Sequence, residues 1–495
     1  MLKKTSSLIL LTALTWQVLQ AQTPIDKGLA TIHKNRLQSH LTFLSSDWFE
    51  GREATTQGAH MAADYLASLY QQADIDPAGD DSTYFQKVPL VMITQPTDAS
   101  LVLSTPQRSL TFNYGQDFIL PAPAISYTTS GKIAWAGYGI EGSQQKKQKD
   151  RIIFRLNGLP ENASHEMQAL KSTELTNLKN KMAAEAGVKA ILEYDPTDPD
   201  LKNMPLQIDS QNPENPVSGI YSRRYMLPGE RTAEVPVVKI SKNVAQQIIP
   251  NLDKQLDNWR RNGAIPAIDA TANIQAKASS LHKSCRNVIA RIEGSELPNE
   301  IIVVGAHYDH LGSYNGFIWN GADDNASGAI GVAEIAAAFK ATGIQPKRTV
   351  IFANWTADER GLLGSRYFVN NFNQIEKVIC YHNYDMIGRS YDSKKTDMAV
   401  SLMYTKTWPK AEMLSDRFNK AHKLGLNIRF SPWDNPTSGS DNAFFAKRDI
   451  PIMWYHTGGH AEYHKPGDHA EHIDWQKLEA IIKNSFLTLW ELANE

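Results

Sequence analysis

The sequence of 495 residues contains only two cysteines, Cys285 and Cys380. Neither has a histidine or a second cysteine at the spacing that a zinc finger uses, and neither lies in a motif typical of a nucleophilic thiol. These absences exclude a thiolate metal site and cysteine-based catalysis. We therefore interpret both cysteines as structural residues, either as buried thiols or as a bonded pair.

The sequence also has no excess of charge of either sign. Its 51 lysines and arginines balance 53 aspartates and glutamates, which gives a formal net charge of -2, and the chain contains no basic block. Nucleic-acid binding depends on concentrated positive charge, so we expect no nucleic-acid partner. Hydrophobic residues at 42% and charged residues at 21% are typical of a globular protein, and the length predicts two or three domains.

The apolar run near the start of the sequence, from Leu8 to Leu19, is shorter than the roughly 20 residues that a membrane-spanning helix needs. Two lysines precede it and Ala21 offers a small residue for cleavage, so residues 1–21 have the pattern of a signal peptide rather than of an anchoring helix. We predict a periplasmic or secreted protein with no membrane association after removal of this segment. We expect a monomer.

The remainder of the chain divides into three stretches of different pattern. Residues 22–110 begin with two amphipathic helical segments, HLTFLSSDWFEGRE and GAHMAADYLASLYQQADI, on either side of a polar loop. Residues 111–282 are rich in short apolar strands, such as GKIAWAGYGI, RIIFRLNG and VPVVKIS. From residue 283 to residue 495 strands alternate with helices, which predicts an α/β fold with a mainly parallel central sheet flanked by helices.

Potential metal ligands follow the predicted strands of this last stretch. A single aspartate before a helix is usually an N-cap, and a single histidine at a strand end is usually only hydrogen-bonded. A parallel sheet, however, brings the carboxyl ends of its strands to one crevice, so five such ends are expected to converge. The candidates are His307 with Asp309 (EIIVVGAHYD), Asp323 and Asp324 (GADDNASG), Asp358 and Glu359 (TADE), Asp385 (NYDMIG) and His464 (AEYHKPGD).

The types of these side chains suit a pair of metal ions. Two imidazoles and three carboxylates form two sets of one histidine and one acid, with one acid shared, and each ion keeps an open position for water. Two ions about 3.5–4 Å apart lower the pKa of such a water and polarise a carbonyl group. Nitrogen and oxygen ligands without thiolate favour two Zn²⁺, with Mn²⁺ or Co²⁺ as substitutes.

In this order and context, the motifs resemble those of the co-catalytic zinc aminopeptidases of peptidase family M28, which have an α/β/α sandwich fold. The resemblance covers residues 283–495, and the helical start at residues 22–110 is similar to that of the family and is expected to pack with the peptidase domain. It implies that Asp324, which directly precedes the N-x-S-G turn, bridges two ions. One ion would be held by His307 and Asp385, and the other by Glu359 and His464.

The same resemblance implies roles for three further residues. Asp309 would orient the ring of His307, and Asp358 would be the general base. Tyr463 is a candidate oxyanion donor, although it could equally be an aromatic packing residue. The remaining histidines of the tail are expected at the surface or beside the ligands rather than on a metal; they are His456, His460, His469 and His472.

Asp358 departs from the family pattern, because relatives usually carry glutamate there. Its side chain is one methylene shorter, while a base must reach within about 2.6–3.2 Å of its water. This leaves two interpretations: an active enzyme with an altered rate or pH dependence, or a weakened enzyme or binding protein. Ser440 and Asp441 in SGSDNAFF could line the cleft, although we favour capping of the following segment.

Residues 111–282 resemble the β-rich protease-associated (PA) domain inserted in many members of this family, which implies a lid or an access module. Together the features predict an exported aminopeptidase that acts on peptides with free N-termini. A carboxypeptidase would need a cationic clamp, for which Arg389 is the candidate, although we favour a structural ion pair for this residue. A glutaminyl cyclase or a non-catalytic peptide-binding protein could also be built on the same scaffold.

Overall fold

The computed structural model describes residues 22–94, 98–120, 126–140, 148–170, 172–201, 223–230, 235–277, 279–390 and 397–495. The predicted signal peptide lies outside these residues and stays a prediction. Within the described ranges, no helix combines the length and the apolar content that crossing a membrane requires.

Helices open and close the described chain, and strands and further helices lie between them. The α-helices there are α1 (Pro24–Thr31), α2 (Lys34–Leu44), α3 (Gln57–Gln72), α4 (His165–Gln168), α5 (Ser172–Glu185), α6 (Lys242–Ile248), α7 (Leu252–Asn262), α8 (Gly328–Ala341), α9 (Leu363–Asn371), α10 (Lys410–Ala421), α11 (Asn442–Ala446) and α12 (Trp475–Asn494). The β-strands are β1 (Asp76–Pro77), β2 (Phe85–Thr94), β3 (Asp98–Ser104), β4 (Ser109–Phe112), β5 (Phe118–Ile119), β6 (Tyr127–Trp135), β7 (Ile152–Leu156), β8 (Ala190–Tyr194), β9 (Arg223–Met226), β10 (Val237–Ile240), β11 (Thr271–Lys277), β12 (Ser280–Ile292), β13 (Leu297–His307), β14 (Gly312–Tyr314), β15 (Phe317–Trp319), β16 (Arg348–Trp355), β17 (Val378–Tyr384), β18 (Ala399–Thr405), β19 (Asn427–Trp433) and β20 (Ile452–His456).

The larger sheet has the strand order β19-β18-β20-β17-β13-β16-β12-β2-β9, with β1 paired to β12. Strands β20, β17, β13 and β16 run parallel to their neighbours within this group, as the sequence predicts. Beyond them, β12, β2 and β9 are antiparallel, and β18 is antiparallel to β20 but parallel to β19. The sheet is therefore mixed across its width, with its parallel part at the centre.

Helices cover both faces of this sheet. Successive side chains of a strand point to opposite faces, and the central strands present apolar side chains to both. In β13, Ile302 and Val304 belong to a core shared with helices α1, α2, α3, α8 and α12. Ile301 and Val303 belong to a second core, shared with α9 and α11. The predicted α/β/α arrangement is confirmed, and the N-terminal helices belong to one of its outer layers.

A second sheet has the strand order β4-β3-β11-β6-β7-β8-β10-β5, with β6, β7, β8 and β10 parallel. Helices α6 and α7 contribute to the core on one of its faces, and α5 packs on another cluster. The predicted boundary after residue 110 lies within β4, and the boundary after residue 282 lies within β12 of the larger sheet. Between them, β9 returns to pair with β2. The assignment of this region as a PA domain stays a prediction.

Both cysteines are buried free thiols, Cys285 on β12 and Cys380 on β17. Burial raises the pKa of each thiol to about 12. The structural interpretation therefore holds in its buried-thiol form, and the bonded pair is excluded.

Candidate metal centre

Five of the predicted site residues meet beyond the carboxyl ends of the parallel strands. His307 is the last residue of β13, Asp385 follows β17 directly, and Glu359 lies in the turn after β16. Asp324 lies in the turn that precedes α8, and His464 lies in the loop after β20. Because β16, β13, β17 and β20 are neighbours in the sheet, these segments share one edge.

The first group of potential ligands has His307 at its centre. Its Nε2 atom lies 3.4 Å from Asp324 Oδ1 and 3.4 Å from Asp385 Oδ1. A tetrahedral zinc site with bonds of about 2.0–2.1 Å places its ligand atoms about 3.3 Å apart. The three atoms thus have the mutual spacing of ligands to one ion, and their side chains are largely buried.

The second group uses the other oxygen of Asp324. His464 Nε2 lies 3.2 Å from Asp324 Oδ2 and 3.4 Å from Glu359 Oε2, which is again the spacing of shared ligands. Asp324 therefore offers one oxygen to each group, as the resemblance implies. Asp323 is held elsewhere: its Oδ1 accepts a hydrogen bond of 2.6 Å from the N–H of Gly388.

Asp468 fixes the turn that carries Asp324, a role that the sequence did not indicate. Its carboxylate accepts hydrogen bonds from the backbone N–H groups of Asp323 (3.1 Å) and Asp324 (3.0 Å). On the other side of the turn, the Asn325 side chain donates to the carbonyl oxygen of Tyr384 at 2.9 Å. The Asp324 carboxylate is therefore positioned by its own backbone. The place of Asp468 at the end of YHKPGD, four residues after His464, is the one signal from which this role could have been inferred.

Residues 287–489, which include this centre, match the model of peptidase family M28. These residues, which make up less than half of the chain, are named the M28 domain after the model that they match. Leucine aminopeptidase 2 of Trichophyton rubrum is 32% identical to the chain over 197 residues, covering 39% of this chain and 37% of that protein. Leupeptin-inactivating enzyme 1 of Streptomyces exfoliatus is 38% identical over 217 residues, covering 42% and 43%. The chain thus spans less than half the length of these curated relatives.

Solved structures share the fold over nearly the whole chain. An aminopeptidase from Aneurinibacillus sp. strain AM-1 has a TM-score of 0.59 at 19% identity, covering 95% of this chain and 96% of its own. BSAP, a zinc aminopeptidase from Bacillus subtilis, has a TM-score of 0.50 at 18% identity, covering 94% and 96%. The similarity in fold therefore extends beyond the M28 domain to the second sheet.

Asp309 differs from its predicted role in the M28 domain. The acceptor nearest to His307 Nδ1 is the main-chain oxygen of Asp309 at 3.1 Å, whereas the carboxylate oxygen Oδ1 is 3.9 Å away, beyond hydrogen-bonding distance. That carboxylate instead accepts a hydrogen bond of 3.0 Å from the backbone N–H of Asp358. Asp309 thus orients the ring through its backbone, and its side chain fixes the turn that carries the acid pair.

His310 is a second residue that the sequence analysis missed. Its ring is fully buried, and Nδ1 lies 2.8 Å from Glu359 Oε1 and 3.9 Å from Asp324 Oδ2. The ring centroids of His310 and His464 are 5.9 Å apart, so both rings adjoin the second group. The sequence places His310 in the loop after β13, where strand alternation no longer predicts the direction of a side chain.

The adjacent acids Asp358 and Glu359 have opposite pKa shifts in the protein alone. Burial raises the pKa of Asp358 well above its usual range; His307 opposes this, and neighbouring carboxylates, among them Asp385, add to it. Burial also raises the pKa of Glu359, but hydrogen bonds with His310 and His464 outweigh it and hold that pKa well below its usual range. The environments of the two acids therefore differ, although the acids are consecutive.

The expectation that Asp441 caps the following segment is wrong. Asp441 precedes α11 with helical backbone angles, φ -54° and ψ -19°, and its side chain makes no capping hydrogen bond. An N-cap normally has extended backbone, which turns its side chain back to the free N–H groups. The Asp441 carboxyl is buried, and its charge raises the pKa of Asp358. Ser440 Oγ accepts a hydrogen bond of 3.0 Å from Asn383 Nδ2. Both residues are therefore buried beside the strand end that carries Asp385, and Asp441 is also near Asp358.

Residues of the tail loop surround the second group. The ring of Tyr463 is 44% exposed and stacks on His464 with centroids 3.9 Å apart.

Arg389 is buried, and its guanidinium lies 2.6 Å from Glu462 Oε2 and 3.7 Å from Asp468 Oδ1, as expected for a structural ion pair. The remaining tail histidines contact groups other than the ligand atoms. His456 contacts the main-chain oxygen of Asp385, His460 contacts Asp323 and Glu462, His469 contacts Asn320, and His472 contacts Glu471.

Proposed function

We propose that the protein is a metal-dependent aminopeptidase that removes N-terminal residues from peptides with two Zn²⁺ at this centre. The observation that carries the proposal is the sharing of Asp324, whose two oxygens lie 3.4 and 3.2 Å from the Nε2 atoms of His307 and His464. Each of these imidazoles has one further carboxylate at 3.4 Å, so the donor set suits a pair of borderline ions. When bound, such a pair supplies an acidified water and a polarised substrate carbonyl group.

The proton of that water would pass to Asp358. Its Oδ2 atom lies 3.7 Å from His307 Nε2, so the carboxylate faces the first ligand group, and Oδ1 has no hydrogen-bond partner among the described residues. A base in this place can accept a proton from the attacking water and give it to the departing amine. Tyr463, stacked on His464, is our candidate for a donor to the substrate oxygen that becomes negative.

Charge favours an aminopeptidase over a carboxypeptidase. A substrate with a free α-amine would enter a site dominated by carboxylates, which attract the ammonium group. A C-terminal carboxylate would need an available cation, whereas Arg389 is buried and already paired with Glu462. The name of the Trichophyton rubrum relative, a leucine aminopeptidase, agrees with an aminopeptidase, although this relative is matched over less than half of its length.

Zinc loading and a set of five substrates test this function. The purified full chain, loaded with Zn²⁺ and freed of excess metal, should contain two zinc ions by elemental analysis. It should release aniline from leucyl anilide, leave the N-acetylated anilide intact and hydrolyse a peptide from its N-terminus only. Cleavage of an N-blocked peptide from its C-terminus would instead indicate a carboxypeptidase. Cyclisation of a glutaminyl peptide without hydrolysis would indicate a cyclase, and two bound ions without turnover a binding protein.

A further inference from the structure

We propose that His310 positions Glu359 by donating a hydrogen bond from Nδ1 to Oε1, which leaves Oε2 as the ligand atom of the second ion. This inference rests on the proposed metal centre and assigns a role within it to a residue that is not itself a ligand. Metal-binding carboxylates commonly need such partners, because an unrestrained side chain presents either oxygen in many orientations.

His310, Asp324 and Glu359 offer ligand atoms within 4.8 Å of one another, so His310 is close enough to be considered as a metal ligand, but its individual distances favour a hydrogen bond. Atoms that share a tetrahedral zinc ion lie about 3.3 Å apart, and His464 Nε2 meets this spacing with both Asp324 and Glu359. His310 Nδ1 lies only 2.8 Å from Glu359 Oε1, which is a hydrogen-bond length, and 3.9 Å from Asp324. An ionised carboxylate can only accept, so Nδ1 carries the proton.

The two carboxylate oxygens of Glu359 face different histidines. Oε1 faces His310, and Oε2 faces His464 at 3.4 Å. If the donor at Oε1 is removed, Glu359 can rotate or turn Oε1 toward the ion, and the ion loses an oriented ligand. The first group contains neither residue, so the loss should fall on one ion of the pair.

The surroundings of His310 hold its ring in this orientation. Its backbone N–H donates to the carbonyl oxygen of Arg52 at 3.3 Å. The buried guanidinium of Arg52 in turn donates to the carbonyl oxygens of Tyr308 (2.7 Å) and Gly321 (2.8 Å), which fixes the two segments on either side of the ring. A Cβ atom at Gly321 would lie 2.6 Å from the ring carbons of His310, so glycine there leaves the ring its space.

Three substitutions at this one position separate hydrogen bonding from packing. In His310→Asn, the amide nitrogen can occupy the place of Nδ1 and donate to Oε1. In His310→Gln, the amide reaches the place of Nε2, so that most of the volume is kept but the donor to Glu359 is lost. In His310→Ala, both volume and donor are lost. His464→Asn, which removes the proposed ligand itself, serves as the reference.

The experiment measures the two zinc affinities of each full-length variant by competition with a chromogenic chelator, with circular dichroism as the check of folding. We expect His310→Gln and His310→Ala to weaken the binding of one zinc by about 10–100-fold while the other is unchanged. His310→Asn should bind both ions nearly as the parent protein does. His464→Asn should lose one ion.

Three outcomes would overturn the inference. Wild-type affinities in His310→Gln would show that the donor is dispensable, and equal losses in His310→Asn and His310→Gln would show that Nδ1 is not the atom that matters. Loss of an ion in His310→Asn with retention of both in His464→Asn would make His310 the ligand. If alanine prevents folding, the comparison of asparagine with glutamine still decides. Two tightly bound ions in a parent protein without peptidase activity would refute the proposed function and leave this inference standing.

Discussion

Buried charge is arranged differently in the two sheets. In the second sheet, the fully buried Arg155 on β7 lies 2.6 Å from Glu193 on the neighbouring β8, and the buried Lys179 donates to the carbonyl oxygens of Leu156 and Gly158. Arg155, Glu193 and Lys179 thus all have partners within the protein. At the edge of the larger sheet, carboxyl groups outnumber the basic side chains close to them by a small margin. The carboxyl groups are Asp309, Asp323, Asp324, Asp358, Glu359, Asp385, Asp441 and Asp468, and the basic side chains are Arg52, Arg389, His307, His310, His456, His460 and His464.

The difference distinguishes a structural ion pair from a site that needs a ligand. Burying a carboxylate without a counter-charge is costly, so a fold tolerates it only where protons or cations restore the balance. The Arg52 guanidinium donates its hydrogen bonds to main-chain carbonyl groups, and Arg389 is paired with Glu462. The acid-rich edge therefore needs protons or bound cations, whereas the ion pair of the second sheet does not.

The most severe way to disturb the acid-rich edge is to remove the shared carboxylate. Asp324→Ala should abolish the binding of both ions, since each group loses one of its three ligands. We expect kcat/KM to fall by about 10³-fold or more, because metal catalysis supplies several kcal/mol. Zinc content and anilide hydrolysis provide the measurements. Asp323→Asn is the matched control, since its Oδ1 can still accept from Gly388 and it should keep both ions. A zinc-loaded, active Asp324→Ala protein would contradict the shared-ligand assignment.

Replacing the proposed base should affect turnover but not metal content. For Asp358→Asn we expect kcat to fall by about 10²–10⁴-fold, because general-base catalysis contributes that much. Zinc content should stay near two per chain, since Asp358 belongs to neither ligand group. Asp358→Glu restores the length usual in the family and should retain activity, which tests whether the shorter acid limits the rate. Retention of full activity by the asparagine variant would exclude Asp358 as the base.

The sequence predicted those parts of the centre that follow from strand order. His307 and Asp385 end or directly follow buried strands, and parallel strands bring their carboxyl ends together, so their meeting is a consequence of the fold. The choice of Asp324 over Asp323 came from the family resemblance and stays a prediction; in the structure the two Asp324 oxygens lie 3.4 and 3.2 Å from His307 Nε2 and His464 Nε2. The α/β/α layers followed from apolar strands alternating with helices.

The features that were missed depend on side-chain direction in loops and on pairing between distant segments. His310 and Asp468 lie outside regular elements, where no periodicity gives the orientation of a side chain. Asp441 was expected to cap because of its residue type, yet its helical backbone angles prevent this. The pairing of β9 with β2 joins segments separated by a long stretch of chain, and no local pattern encodes such a contact.

In the second sheet, breaking the ion pair should affect stability rather than activity. Arg155→Met leaves Glu193 buried without its main partner, which we expect to cost about 3–5 kcal/mol of unfolding free energy. The double variant Arg155→Met/Glu193→Leu should recover most of that loss, because a matched apolar pair is often neutral. Urea denaturation gives the free energies, and hydrolysis of a small anilide should remain unchanged under native conditions. A loss of activity in the folded single variant would mean that this region contributes to the centre.

The smallest effect is expected for an ion pair of the same length at the surface. Lys420 Nζ lies 2.6 Å from Asp416 Oδ2 on α10, the same separation as in the buried pair, but the two side chains are 74% and 40% exposed. Water already solvates both charges, so Asp416→Asn should change the unfolding free energy by at most about 0.5 kcal/mol. Urea denaturation at low and at high salt measures the contribution of this ion pair to the unfolding free energy, and high salt should screen that contribution. A loss comparable to that of Arg155→Met would show that distance, rather than burial, decides what an ion pair contributes here.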